Sequence, residues 1–112
     1  GLYASSGWVS LGSRAGDPVP AKFIADFKAK FGQDASGFAM LGYSAADTFV
    51  RALEAAGPDL TQEGFIAAME TLNYQDDLTD ASVSYSAEDH QGVKDVVISI
   101  VENGTWKMLA RQ

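Results

Sequence analysis

Three carboxylates, Asp76, Asp77 and Asp80, followed by Glu88, have the spacing in this sequence that comes nearest to a metal-binding loop. Counted from Asp77, Glu88 falls at the twelfth position, where a calcium loop carries its bidentate ligand. Ala81 and Ser82 then occupy the positions that need an oxygen ligand and a turn glycine. The run reads as a solvated acidic loop, and no metal site is assigned. Glu88-Asp89-His90 holds the single histidine, a group suited to proton transfer near neutral pH. Adjacent side chains rarely converge on one atom, and no second histidine or cysteine completes a site, so a polar turn before a strand is expected. Ser44 sits where a nucleophile could, but Tyr43 and Ala45 flank it rather than the glycines of a GxSxG elbow. Helix capping explains Ser44 instead. No GxGxxG or GxxxxGK[ST] phosphate cradle occurs. Asn103-Gly104-Thr105 fits a glycosylation pattern, yet a tight turn between two strands accounts for it better. No catalytic residue, cofactor or enzymatic activity is assigned.

Aromatic and hydroxyl groups are the better candidates for a site. Trp8 lies in a loop just after an expected strand end, and Tyr43 follows another expected strand at the mouth of a helix. In open α/β sheets, ligands bind beyond the carboxyl ends of strands. Trp8 and Tyr43 are therefore expected at one rim, with Ser5 and Ser6 as nearby hydrogen-bonding hydroxyls. The alternative for each aromatic taken singly is a structural role, Tyr43 in the core and Trp8 as a loop anchor.

The composition sets what these residues can serve. The chain has 112 residues, 46% apolar, with a formal charge of −7, which fits one domain with a core. The acidic balance argues against nucleic acid, whose phosphates need clustered Lys and Arg. No apolar run reaches the ~20 residues of a membrane helix, and the absence of cysteine excludes disulfides and thiolate metal sites. The chain opens with GLYASSGWVS, without an initiator Met or a visible signal peptide. A piece of a longer protein is expected.

The elements that must position the candidates follow from spacing. Leu2 to Ala4 read as the tail of a strand, released by Ser5-Ser6-Gly7 into a loop rich in Gly and Pro. Pro20 suits a helix start, Phe23, Phe27 and Phe31 recur every four residues, and Gly32 ends that helix. SGFAML, bounded by turn residues, is expected as a short buried strand leading into a helix capped by Ser44 and stopped by Gly57-Pro58. A third helix starts near Thr61 with Phe65, Ile66, Met69 and Leu72 as its stripe. A short strand is expected around Val83 to Tyr85, between polar connections. DVVISIVENGTWKML is the clearest hairpin, with Asn103-Gly104 at its turn and Trp106 and Met108 on one face of the return strand. The order implies a right-handed parallel βαβ crossover, hence an α/β class.

From Pro20 to Leu72 the sequence resembles the late part of type I periplasmic substrate-binding proteins of ABC importers, closest to the leucine/isoleucine/valine-binding branch. An F-x-x-x-F-x-x-x-F-G helix, the G-Y-[SD]-A-A-x-x-x-x-x-A-L-x-x-A-G segment and a closing strand with N-G-x-W carry the resemblance, which covers nearly the whole chain. Ser44 stands where many relatives have Asp. The resemblance implies that residues 1–112 are a single incomplete α/β segment, the last third of a two-lobed protein that traps a small solute between its lobes. Met40, beside Tyr43, and the loop around Ser5, Ser6 and Trp8 would face the cleft. It further implies an amino acid, amide or small carboxylate ligand, an ABC permease partner, a periplasmic or extracytoplasmic location and no chemistry on the ligand. A ligand-sensing domain of a receptor or regulator with the same fold is the alternative. A lobe lacking its first strands exposes sheet edge and helix faces, so a dimer or exchanged assembly of the chain is expected.

Overall fold

Proline near the start and glycine beyond the end delimit the first long helix. In the computed structural model, which describes residues 1–112, helix α1 spans Pro18–Phe31, with Pro in its first turn and Gly32 after it at φ 69°. The proline's missing N–H falls among amides that have no acceptor within the helix, and glycine takes a left-handed conformation without a Cβ clash. The expected aromatic stripe is present as a ladder. The Phe23–Phe27 ring centroids lie 5.9 Å apart and the Phe27–Phe31 centroids 4.7 Å apart.

The SGFAML segment corrects the sequence reading. It is not a strand but the beginning of helix α2, Gly37–Ala56. Phe38-Ala39-Met40-Leu41 contains no β-branched residue, so nothing local opposes the helix. Ser36, not Ser44, is its cap, and its Oγ accepts the Ala39 N–H at 3.1 Å. Ser44 lies two turns inside α2, where its buried hydroxyl has no hydrogen-bond partner. No strand-to-helix corner exists at Leu41–Ser44. The parallel βαβ crossover falls with it, because every strand pair in the molecule is antiparallel.

Other punctuation works as expected. Gly57, at φ 78°, ends α2 ahead of Pro58. Thr61 caps helix α3, Gln62–Met69, by accepting the Gly64 N–H at 3.0 Å. Phe49 and Phe65, 5.4 Å between centroids, hold α3 against α2.

Strand β1 is Tyr3–Ser6, so Ser5 and Ser6 belong to the strand rather than to the loop. A 3-10 turn at Leu11–Arg14 interrupts that loop. Strand β2, Asn73–Asp76, is not expected from the sequence; it runs into the polar connection that begins at Gln75 and pairs with β3, Ala81–Ser84. Its turn is closed by Asp76, whose carboxylate accepts the Leu78 N–H at 3.0 Å and the Thr79 hydroxyl at 2.7 Å. Strands β4, Val97–Glu102, and β5, Thr105–Arg111, make the expected hairpin, with Asn103 and Gly104 at φ 53° and 76°. β4 is central in a three-stranded sheet of order β1-β4-β5. The β4–β5 register shifts between Ile98 and Ser99, opposite Leu109, which re-aims the strand locally.

The core is small. Leu11, Met40 and Leu78 form its buried centre, with Phe23, Ile24, Ala35 and Leu41 packed around them. The molecule is a slab of 50 × 35 × 19 Å with a radius of gyration of 15.9 Å, against about 13 Å for a compact chain of this length. Its accessible surface is 7157 Å², where the scaling for a folded monomer of this mass gives about 6,000 Å². Much of the excess is apolar: Phe38, Tyr43, Phe49 and Val50 of α2 are each about half or more exposed.

Candidate functional site

Successive side chains of a strand alternate between the two faces of a sheet. Ala4 pairs with Ser99 and Val101 with Trp106, so Ala4, Ser6, Ser99 and Trp106 share one face of the three-stranded sheet. Ser5 falls with Tyr3 and Ile98 on the other. Opposite the first face stand the 3-10 turn and the connection from α1 to α2. Between these walls lies a cleft of about 410 Å³, within the ~300–1,000 Å³ that small-molecule sites occupy.

Each wall is fixed by identifiable bonds. The Ser6 hydroxyl donates to the Trp8 carbonyl at 2.6 Å, turning the chain at the end of β1. Val9 and Leu11 are buried, and the Val9 N–H donates to the Thr79 carbonyl at 3.0 Å, so the loop is tied down on both sides of Ser10. Arg14 donates to the Leu78 carbonyl at 3.1 Å. Arg111 reaches both the carbonyl and a carboxylate oxygen of Asp80 at 2.7 Å. These two arginines clamp the turn after β2 against the loop and the sheet. Met40 closes the interior of the cleft with no exposed surface, and Ser99 is buried to within 8%.

The electrostatics of the cleft are simple. Asp34 is the only ionisable side chain lining it, and no Lys, Arg or His does. The Asp34 carboxylate is 2.9 Å from the Lys28 ammonium, whose hydrogen bond and charge hold its carboxyl below the usual range. The wall is thus apolar and hydroxyl-bearing, with its one charge already matched.

Of the expected site residues, Ser5, Ser6, Trp8 and Met40 all border this cleft. Tyr43 does not. It projects from the middle of α2 and packs edge-on against Phe23, 5.3 Å between centroids, along a separate apolar groove of about 550 Å³ on α1. The strand-to-helix corner that was expected to put Tyr43 beside Trp8 is an uninterrupted helix, which carries the ring to the outer side. Met40, three residues earlier in the same helix, is fully buried and borders the cleft, whereas Tyr43 is more than half exposed. Ser99 and Trp106 are cleft residues that the sequence reading missed. A signal existed: Ser99 is the polar interruption in the Val97-Ser99-Val101 face, and Trp106 shares that face through the hairpin register.

The acidic groups find separate partners rather than a common centre. Asp76 and Asp80 are engaged as described above. Asp89 accepts the Gln91 N–H at 2.9 Å and lies 3.3 Å from Lys94, while His90 lies 2.9 Å from Glu70.

The sequence profile of the periplasmic binding protein family matches residues 1–105. Among solved structures, the chain is similar to a leucine-binding protein of Thermotoga maritima, at 27% identity and a TM-score of 0.66, covering 99% of this chain and 30% of that one. It is also similar to a putative branched-chain amino acid ABC transporter protein of Rhodospirillum rubrum, at 25% identity and a TM-score of 0.73, covering 97% and 30%. A solute-binding protein of a Rhodopseudomonas palustris ABC transporter, in complex with 3,4-dihydroxybenzoic acid, shares the fold at 22% identity and a TM-score of 0.72, covering 100% and 31%. No functionally curated protein matches. The chain spans about a third of the length of the structures it resembles.

Proposed function

We propose, from the premise that the chain belongs to the periplasmic binding protein family, that it is part of the solute-binding component of an ABC importer. The relatives with this fold include a leucine-binding protein and a putative branched-chain amino acid transporter protein. The observation that carries the reading is the cleft between the β1-β4-β5 sheet and the α1–α2 connection, in a chain aligned with that family over nearly its whole length. Residues 1–112 are the last third of a two-lobed protein working outside the cytoplasm. A small amino acid, amide or carboxylate is captured between the lobes, which close about a hinge and present the closed form to a permease. Ser6, Trp8 and Met40 supply one wall, Ser5 borders it from β1 with its side chain on the other sheet face, and the opposing lobe supplies the second wall. Tyr43 serves packing between α1 and α2 in this reading.

The excess apolar surface of α2 supports the same view, since the remainder of the longer protein covers it. In isolation that surface favours a dimer or exchanged assembly, and sedimentation of a stable monomer at micromolar concentration speaks against it. Calorimetry tests the main reading. The longer protein should bind a small amino acid or carboxylate with one-to-one stoichiometry, and the 112-residue chain should bind it far more weakly. Tight uptake by the short chain alone refutes the divided-site reading, and failure of the folded longer protein to bind any such solute refutes the transport reading.

A further inference from the structure

Both tryptophans of the chain, Trp8 and Trp106, line the same cleft. Two independent elements bring them there: the loop after β1 and the return strand of the hairpin. Central β4 lies between those elements and contributes Ser99 to the same wall. The four aromatic pairs in the molecule involve only Phe and Tyr. Neither indole is therefore stacked on another ring of the chain, and Trp8 keeps 38% of its surface exposed although it is large and apolar. Met40, Ile24 and Leu11 complete an apolar lining, while Ser6, Ser10 and Ser99 add hydroxyls. The cleft offers no cation to a ligand carboxylate, and its one anion, Asp34, is occupied by Lys28.

We infer that this wall receives a single aromatic ring, with the ligand's charged group turned away toward the opposing lobe. The inference rests on the solute-binding reading above and names the class of solute. Indole faces favour a planar ring, through offset or edge-to-face contact added to burial of area. An aliphatic side chain gains only the burial. A wall without a matching charge cannot repay the desolvation of a carboxylate or an ammonium, so the ionised end of the ligand is excluded from it. The serine hydroxyls can donate to or accept from a ring hydroxyl. The favoured solute is thus a benzoate-type or hydroxybenzoate-type monocarboxylate rather than a branched aliphatic amino acid.

The test is calorimetric titration of the longer binding protein with benzoate, 4-hydroxybenzoate, leucine and isoleucine, repeated with Trp106→Leu, Trp106→Phe and Trp8→Leu. At least one benzoate should bind about tenfold or more tightly than either amino acid, the scale of aromatic contact plus buried area. Trp106→Leu and Trp8→Leu should each weaken that binding about tenfold, while Trp106→Phe, which keeps a ring, stays within about threefold. Tighter binding of leucine or isoleucine by the unaltered protein overturns the ring assignment and leaves the solute-binding reading standing. Benzoate binding indifferent to both leucine substitutions overturns the assignment to this wall. If the unaltered, folded protein binds none of the four, the ring assignment fails, while the solute-binding reading falls only if amides and other small amino acids and carboxylates also fail to bind.

Discussion

Met40→Ala is the most informative single change, because Met40 is fully buried at the centre of a three-residue core and also borders the cleft. Truncation removes the side chain that Leu11 and Leu78 pack against, leaving a gap at the centre of the core. Burial-weighted experience with Met→Ala places the cost at ~2–5 kcal/mol. At ~0.05–0.15 kcal/mol per residue, a chain of this length has between ~6 and ~17 kcal/mol to lose, and its small core argues for the low end. A loss of ~3 kcal/mol would then remove about half of the stability, with a fall in midpoint temperature on the order of 10–20 °C. Met40→Leu conserves volume and should cost less than ~1.5 kcal/mol. Urea unfolding followed by circular dichroism reads both, and an unchanged slope with a lowered midpoint marks a true stability loss. If Met40→Ala lies within ~1 kcal/mol of the parent, below the range for such truncations, the core has been wrongly placed.

Two further outcomes are expected. The Tyr74 hydroxyl lies 2.6 Å from Thr48 Oγ1, and burial raises its pKa above 10.0 despite the opposing Thr48 hydrogen bond. The unfolded phenol therefore ionises first, so the stability this group contributes is complete below pH 10.0 and falls as pH rises through the higher folded value. Tyr74→Phe should cost about 1 kcal/mol near neutral pH and flatten the alkaline decline of the urea midpoint; parallel profiles for both proteins would contradict this. Gly104→Ala, at φ 76° in the hairpin turn, should destabilise by ~1–2 kcal/mol. Gly42→Ala, inside α2 with open space around the added Cβ, should stabilise by up to ~1 kcal/mol. Equal effects at the two glycines, measured by thermal unfolding, would count against the left-handed turn.

Some elements were legible because their signals are local. Pro20 and Gly32, Thr61 and Asn103-Gly104 act through conformations that involve only neighbouring residues, and each delimits its element as read. The SGFAML segment misled for a complementary reason. A short apolar run between turn residues fits a buried strand and a helix start equally well, and the arbiter is whether Ser36 or Ser44 caps. The same misplacement put Tyr43 beside Trp8, whereas its ring packs on Phe23 of α1. Strand β2 was hidden because its polar residues pair with β3 without an apolar alternation of their own.

The sequence by itself determined the glycine stops of α1 and α2, the start of α3, the hairpin and, through the motifs spread along it, the family, because these depend on residues near one another or on a pattern carried in linear order. Only the tertiary structure decided that every strand pairs antiparallel and that Trp106 and Ser99 join Trp8 in one cleft. Those outcomes depend on register across a sheet that joins residues about ninety positions apart, from Ala4 to Ser99. A one-residue slip would send all the cleft's side chains on a strand to the opposite face, and no neighbouring residue in the chain specifies that choice.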